Sequence, residues 1–223
     1  MPAETFTKTT VDVSDRVRTT FGDTSGAQVT DAMMIRWIND GQQEIINNNP
    51  VLKGTKYTNY TAGTTEYTFP SDSVQFIEAV YVDGRPIKNL SPQEYREYIL
   101  EVDPDLETTS AYPAIWYERN GVITFYPKAT TTYTNGLKLE YVKTPAAINA
   151  ISSATYLTIP DRYLSHLVEY VLSQALELDE NYSAAQYKQA QFRDGLDRLN
   201  NKENISQLDM YSTCMMDPDD YYG

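Results

Sequence analysis

The residues able to do chemistry in this chain are few and scattered. One histidine, His166, sits among leucines and valines in 160-PDRYLSHLVEYVLSQALELDE-180. With no second histidine and no nucleophile–acid arrangement around it, it reads as a partly buried or surface side chain, not as a general base. Carboxylates gather at Glu177/Asp179/Glu180, Asp103/Asp105 and Asp217/Asp219/Asp220. Two carboxylates a few ångströms apart are what glycoside hydrolysis needs, yet such pairs arise by chance among 31 Asp and Glu residues. The last two sets surround prolines and lack the glycine and closing glutamate of a calcium loop, so no metal site is expected. The single cysteine, Cys214, excludes an internal disulfide and a cysteine-based zinc centre. The ten glycines form neither a phosphate-cradling loop nor a dinucleotide fingerprint. Neither an enzyme nor a cofactor protein is expected.

Composition points the same way. The 223 residues are 41% hydrophobic and 12% aromatic, enough to build a core in one domain or two small ones. A net charge of −13 argues against tight binding to a phosphate backbone, which depends on Lys and Arg releasing counterions. It does not prevent DNA from passing an acidic wall without adhering. The longest apolar runs are a few residues and the start, MPAETFTKTTVDVSD, has no apolar core, so neither a membrane span nor a secretory signal is expected.

Such a chain must owe its role to surfaces, and surfaces need elements to position them. In 30-TDAMMIRWINDGQQEIINNNP-50, Thr30 is a candidate N-cap, Asp31 complements the helix dipole, and Val29 and Met34 have the spacing of a hydrophobic staple. Met34, Trp37, Ile38, Gly41 and Ile45 share one face. Pro50 and the three asparagines before it end the helix. A second apolar stripe follows Pro160: Leu164, Leu167, Val168, Val171, Leu172, Ala175 and Leu176. A third helix is expected from Ser183, with Gln186 completing a capping box, Tyr182 and Tyr187 as a staple, and Ala185, Phe192, Leu196 and Leu199 facing inward. A short helix is predicted from Ser14 to Phe21, with Val17 and Phe21 apolar at i, i+4.

Between these helices the period becomes that of strands. In 74-VQFIEAVYVDGRPI-87 the residues Val74, Phe76, Val80 and Val82 alternate with Gln75, Ile77, Ala79 and Tyr81 before an Asp83-Gly84 turn. Asn120-Gly121 in 115-IWYERNGVITFYP-127 is a stronger hairpin signal, since both central residues need positive φ. A further strand places Leu137, Leu139 and Tyr141 opposite Lys138 and Glu140, and 65-TEYTFP-70 leads the set. About five or six antiparallel strands are expected, interrupted by a helix at 91-SPQEYREYIL-100 with Ser91 as N-cap, Pro92 at N1 and Glu94 at N3. Of the 19 tyrosines, Tyr57, Tyr60, Tyr67, Tyr81, Tyr112, Tyr117, Tyr126, Tyr133, Tyr141 and Tyr156 fall in or near the strands of this region. They suit cross-strand packing, stacking on sugar rings, or burial against another subunit.

The expected fold is therefore α+β: a helical bundle (residues 1–54 and 159–200) with an inserted antiparallel β-sheet or sandwich unit (55–158) and an extended C-terminal arm (201–223). The bundle core is assigned to Met34, Trp37, Ile38, Ile45, Leu164, Leu167, Val168, Val171, Leu172, Phe192 and Leu196. In the arm, one lysine stands against one glutamate and four aspartates, beside Leu208, Met210, Tyr211, Met215, Met216, Tyr221 and Tyr222. So much apolar and aromatic surface suits a segment that orders against a partner, or else an end packed on its own domain.

Two patterns carry a resemblance. Trp37, Asn39, Gly41, Gln42 and Ile45 match W-x-N-x-(G/A)-Q-x-x-I. Gly121, Ile123, Phe125, Pro127, Leu137, Leu139, Tyr141 and Pro145 match G-x-I-x-F-x-P…L-x-L-x-Y…P. In this order, over roughly residues 10–200, the chain resembles the head-to-tail connector (adaptor) proteins of tailed bacteriophages. The resemblance implies a non-enzymatic ring of about twelve copies under the portal protein. The C-terminal segment would grip the portal, the opposite face would receive a tail or nozzle protein, and double-stranded DNA would pass without specific binding. It implies a place at the head–tail junction of the virion, after synthesis in the bacterial host cytoplasm. The alternative from the residues is a carbohydrate-binding or glycan-hydrolysing tail module using the β-unit tyrosines and one carboxylate pair.

Overall fold

The computed structural model describes residues 5–69, 74–102 and 108–212. The fold is α+β, and the chain divides into two compact units: Met1–Val51 with Pro145–Gly223, and Leu52–Thr144.

The first unit is helical. Helix α1 spans Thr10–Phe21, four residues earlier than Val17 and Phe21 alone suggest. Its start is fixed by a capping box, in which Thr9 N–H donates to Asp12 and the Thr9 side chain accepts from the Asp12 backbone. Gly22, at φ 89°, ends it. The following loop closes around Asp23, whose carboxylate accepts from the backbone of Ala27, Gln28 and Val29 and from the Ser25 hydroxyl. These donors, the Val29 amide first, pull its carboxyl down to about 2. Helix α2 spans Asp31–Asn48 with Thr30 as N-cap, and Arg18 of α1 pairs with Asp31 at 2.7 Å.

Residues 145–158 return to these helices. Thr10 and Leu157 donate backbone hydrogen bonds to Thr155 and Lys8, and the Asp161 carboxylate accepts from Thr7 and Lys8. A 3-10 turn, Asp161–Tyr163, then leads into α4 at Leu164–Leu178. Helix α4 is the hub of this unit and packs against α1, α2 and the last helix, α5, Tyr182–Ser212. Met34, Trp37, Ile38, Ile45, Leu164, Leu167, Val171, Leu172, Phe192 and Leu196 are buried, while Val168 and Leu199 are half-buried.

The start of α5 differs from expectation. Asn181, not Ser183, supplies the cap, its side chain accepting from the Ala184 amide at 3.4 Å. Tyr182 and Tyr187 do not staple it, being 61% and 63% exposed. Helix α5 also runs through Ser212, twelve residues past the end expected at 200. The apolar period is lost there, but residues 196–212 hold no glycine or proline and consist largely of tolerable helix formers.

The second unit is a curled seven-stranded sheet in the order β1-β9-β3-β4-β6-β7-β2. Its strands are β1 Lys53–Tyr60, β2 Glu66–Thr68, β3 Val74–Val82, β4 Arg85–Asn89, β6 Ile115–Arg119, β7 Val122–Tyr126 and β9 Tyr133–Lys143. Two short strands, β5 Thr109–Ser110 and β8 Lys128–Ala129, pair separately. Both predicted hairpins form, with Asp83, Gly84, Asn120 and Gly121 all at positive φ. The sheet is mixed and not purely antiparallel, because β4 and β6 run parallel. Helix α3, Pro92–Val102, lies in the crossover that a parallel pair requires. Its capping box forms as expected: Ser91 N–H donates to Glu94 at 2.8 Å and Glu94 N–H to the Ser91 hydroxyl at 3.2 Å.

Inside the curl lie Tyr60, Ile77, Val80, Val82, Trp116, Ile123, Phe125, Leu137, Leu139 and Tyr141. Ile77 replaces Phe76 on the inner face because the β3–β9 register shifts between Ile77 and Ala79, and a bulge reverses which side chains point inward. Phe76 is left 39% exposed. The outermost strands meet where Tyr60 of β1 stacks on Tyr67 of β2 at 5.7 Å. On the outer face, α3 covers Ile115 and Tyr126 with Ile99, Tyr95 and Tyr98.

Candidate interaction surfaces

The polar and small residues along α2 form a clasp. Along α2, Asn39 faces the returning segment: its Nδ2 donates to the Ile148 carbonyl at 3.0 Å and its Oδ1 accepts from the Ile148 amide at 2.8 Å. One turn on, the buried Gln42 Oε1 accepts from both the Thr158 amide (2.8 Å) and hydroxyl (3.0 Å). Between them Gly41 lets α4 approach so closely that a Cβ would lie 2.6 Å from Leu167 Cδ1 and 2.7 Å from the Tyr170 ring. Trp37 and Ile45 complete the buried face. Asn39 and Gln42 thus hold residues 145–158 on α2, and Gly41 admits α4. The sequence marks these residues but not their partners, 109 and 116 positions away.

The other candidates for chemistry are placed as follows. His166 is held between α4 and α5, its Nδ1 3.5 Å from the Glu169 carboxylate, too far for a hydrogen bond. Gly195 makes room for its imidazole, since a Cβ there would lie 2.3 Å from the ring. The ring borders an open hollow of about 540 Å³ with Glu169, Asp194 and Arg198. Glu177, Asp179 and Glu180 are exposed around the α4–α5 turn. Asp103, Asp105, Asp217, Asp219, Asp220 and Cys214 lie outside the described residues. Among the described residues, no group of three or more His, Cys, Asp or Glu is placed to hold a metal ion, and no helix is long and apolar enough to cross a membrane.

The tyrosines serve mainly the sheet itself. Tyr60, Tyr126 and Tyr141 are buried. Burial raises the Tyr60 phenol well above its ordinary range. Tyr67 stacks on Tyr60, Tyr112 on Tyr133, and Tyr117 lies 4.1 Å from Tyr95. Tyr81 is half-buried beneath the Lys138 ammonium, 4.7 Å from its ring centre. Tyr57 of the sheet unit and Tyr156 of the helical unit are each 57% exposed.

Of the residues assigned to the C-terminal arm, Leu208, Met210 and Tyr211 fall on α5, while Met215, Met216, Tyr221 and Tyr222 lie outside the described residues. Two further surfaces were missed by sequence reasoning. One is a hollow of about 200 Å³ beside α3, floored by Tyr95, Ile99 and Tyr117 with Leu100 at one side and Arg96 and Arg119 at its rim. The other is the α4–α5 turn, where Leu178 is 46% exposed beside Tyr182. The signal for both was present as apolar residues without inward partners, Leu100 in α3 and Leu178 at the end of α4.

What the geometry offers is rigid, clasped helices, an aromatic-cored sheet and exposed apolar spots, the equipment of a protein that fits against others. No curated protein matches the chain. A family model described as SU10 adaptor protein matches residues 8–214, which takes in the clasp, the sheet and helices α1 to α5; the chain belongs to the SU10 adaptor protein family and is a structural adaptor of phage.

Proposed function

We propose that the chain forms a ring in the phage neck, joins the portal to the tail, and lets the genome pass through its bore. The family membership over residues 8–214 is the observation that carries this reading. The helical unit, framed by the clasp and the core around Met34, Trp37, Leu167 and Phe192, is the rigid wall of the ring. The segment 201–223, with Leu208, Met210, Tyr211, Met215, Met216, Tyr221 and Tyr222, docks on the portal. The sheet unit meets the distal tail or nozzle component. About twelve copies close the ring, as a repeated contact between two different faces does when its rotation closes. A net charge of −13 keeps DNA from adhering to the wall while it slides.

The test is truncation after residue 204, with a milder truncation after 212 that leaves α5 whole. Co-sedimentation with purified portal rings is expected to be lost in the first and reduced in the second, while both proteins keep the parent's thermal melt. Undiminished capture by both truncations would reject the arm as the portal contact.

A further inference from the structure

The hollow beside α3 has a definite chemistry. Its floor is apolar and aromatic, with Leu100 65% exposed at one side. Leu100, Arg96 and Pro92 also border a second hollow of about 450 Å³ that adjoins the first and includes Glu97, so Leu100 stands as a ridge between two depressions. Arg96 and Arg119 are exposed, and neither has a carboxylate partner among the described residues. Two unpaired guanidinium groups over an apolar floor call for an occupant with an apolar anchor and neighbouring carboxylates.

The α4–α5 turn of the same chain has the matching chemistry. Leu178 and Tyr182 project at 46% and 61% exposure, interleaved with the exposed Glu177, Asp179 and Glu180. The turn is stiff: Asn181 N–H donates to Leu176 O at 2.9 Å and Glu180 N–H to Glu177 O at 3.1 Å, the paired bonds of a Schellman ending. Glu180 holds φ 57°, where glycine is the less strained choice. The turn is thus a pre-formed acidic knob with two apolar points. A cavity of about 150 Å³ holds a benzene ring, so the 200 Å³ hollow is large enough for the Tyr182 ring.

We propose that the α3 hollow is a socket for the α4–α5 turn of a second copy of this chain, with Tyr182 and Leu178 on its floor and Glu177, Asp179 and Glu180 against Arg96 and Arg119. Knob and socket are different patches of one sequence, so the contact is heterologous and repeats from copy to copy. This deepens the ring reading and rests on it. The apolar anchors supply affinity, and the charges set register and reject the wrong pairing.

The test uses two full-length variants built only on exposed residues: a reversed socket, Arg96→Glu with Arg119→Glu, and a reversed knob, Glu177→Lys, Asp179→Lys and Glu180→Lys. Each alone pairs like charge with like, and self-association, read by sedimentation with and without portal rings, is expected to need at least about tenfold more protein. Mixed in equal amounts, each variant's knob faces the other's opposite-charged socket, and assembly is expected to return. If the wild type assembles and the variants assemble equally well, or if the mixture fails to recover, the socket is overturned while the ring reading stands. A wild type that stays monomeric in both conditions up to millimolar concentration overturns both.

Discussion

Replacing Trp116 with alanine is expected to remove about 4 kcal/mol of stability. Trp116 is 1% exposed and stands on β6 at the parallel junction, where its register partner is Asn89 of β4. Its indole N–H donates to the Ile87 carbonyl at 3.1 Å, and the Leu90 amide donates back to the Trp116 carbonyl at 2.9 Å. Truncation leaves a large cavity beside Phe125, its partner on β7, and strips the half-buried Ile87 carbonyl of its donor. For a domain whose whole margin is about 5–15 kcal/mol, that is a large fraction. Trp116→Phe keeps most of the buried area and should lose only about 1–2 kcal/mol. Urea unfolding followed by far-ultraviolet circular dichroism checks the order; an alanine variant within about 1 kcal/mol of the parent would mean that the junction does not hold the sheet.

Introducing valine at Gly41 is the second large effect, about 3 kcal/mol of destabilisation. A Cβ there meets Leu167 Cδ1 at 2.6 Å and the Tyr170 ring at 2.7 Å, closer than packed carbons approach. Leu167 is fully buried, so it has little room to move. Alanine makes the same first clash but gains about 1 kcal/mol of helix propensity over glycine, so Gly41→Ala should cost less than Gly41→Val. Emission from Trp37, one turn earlier on α2 and 5% exposed, read in a Trp116→Phe background that leaves it the sole indole, follows the exposure of α2 during denaturation. A Gly41→Val protein as stable as its parent would show that the helices do not need this close approach.

What the sequence made legible was local. Asp83-Gly84 and Asn120-Gly121 encode their turns in their own backbone freedom, and Ser91 and Glu94 satisfy each other within one helical turn. The same local pattern misled at Ser183 and Gln186, because Glu180 in the left-handed region sets up Asn181 as the cap first. The face reversal between Phe76 and Ile77 depends on register with β9, and the parallel β4–β6 pair on a crossover; neither is written in either strand alone. The roles of Asn39 and Gln42 were hidden likewise, since a polar residue on a helix acquires meaning only from the distant backbone it holds. The α3 hollow draws on Arg96 from a helix and Arg119 from a strand, a juxtaposition only the folded sheet creates.

Assembly on the portal is the central property to measure. The direct measurement is the mass, by native mass spectrometry, of the particle formed when the full-length chain is mixed with purified portal rings. The predicted result is one discrete species carrying a fixed, ring-closing number of chains on each portal. A portal that recovers no chain, or a broad and unsaturating series of bound copies, would contradict it.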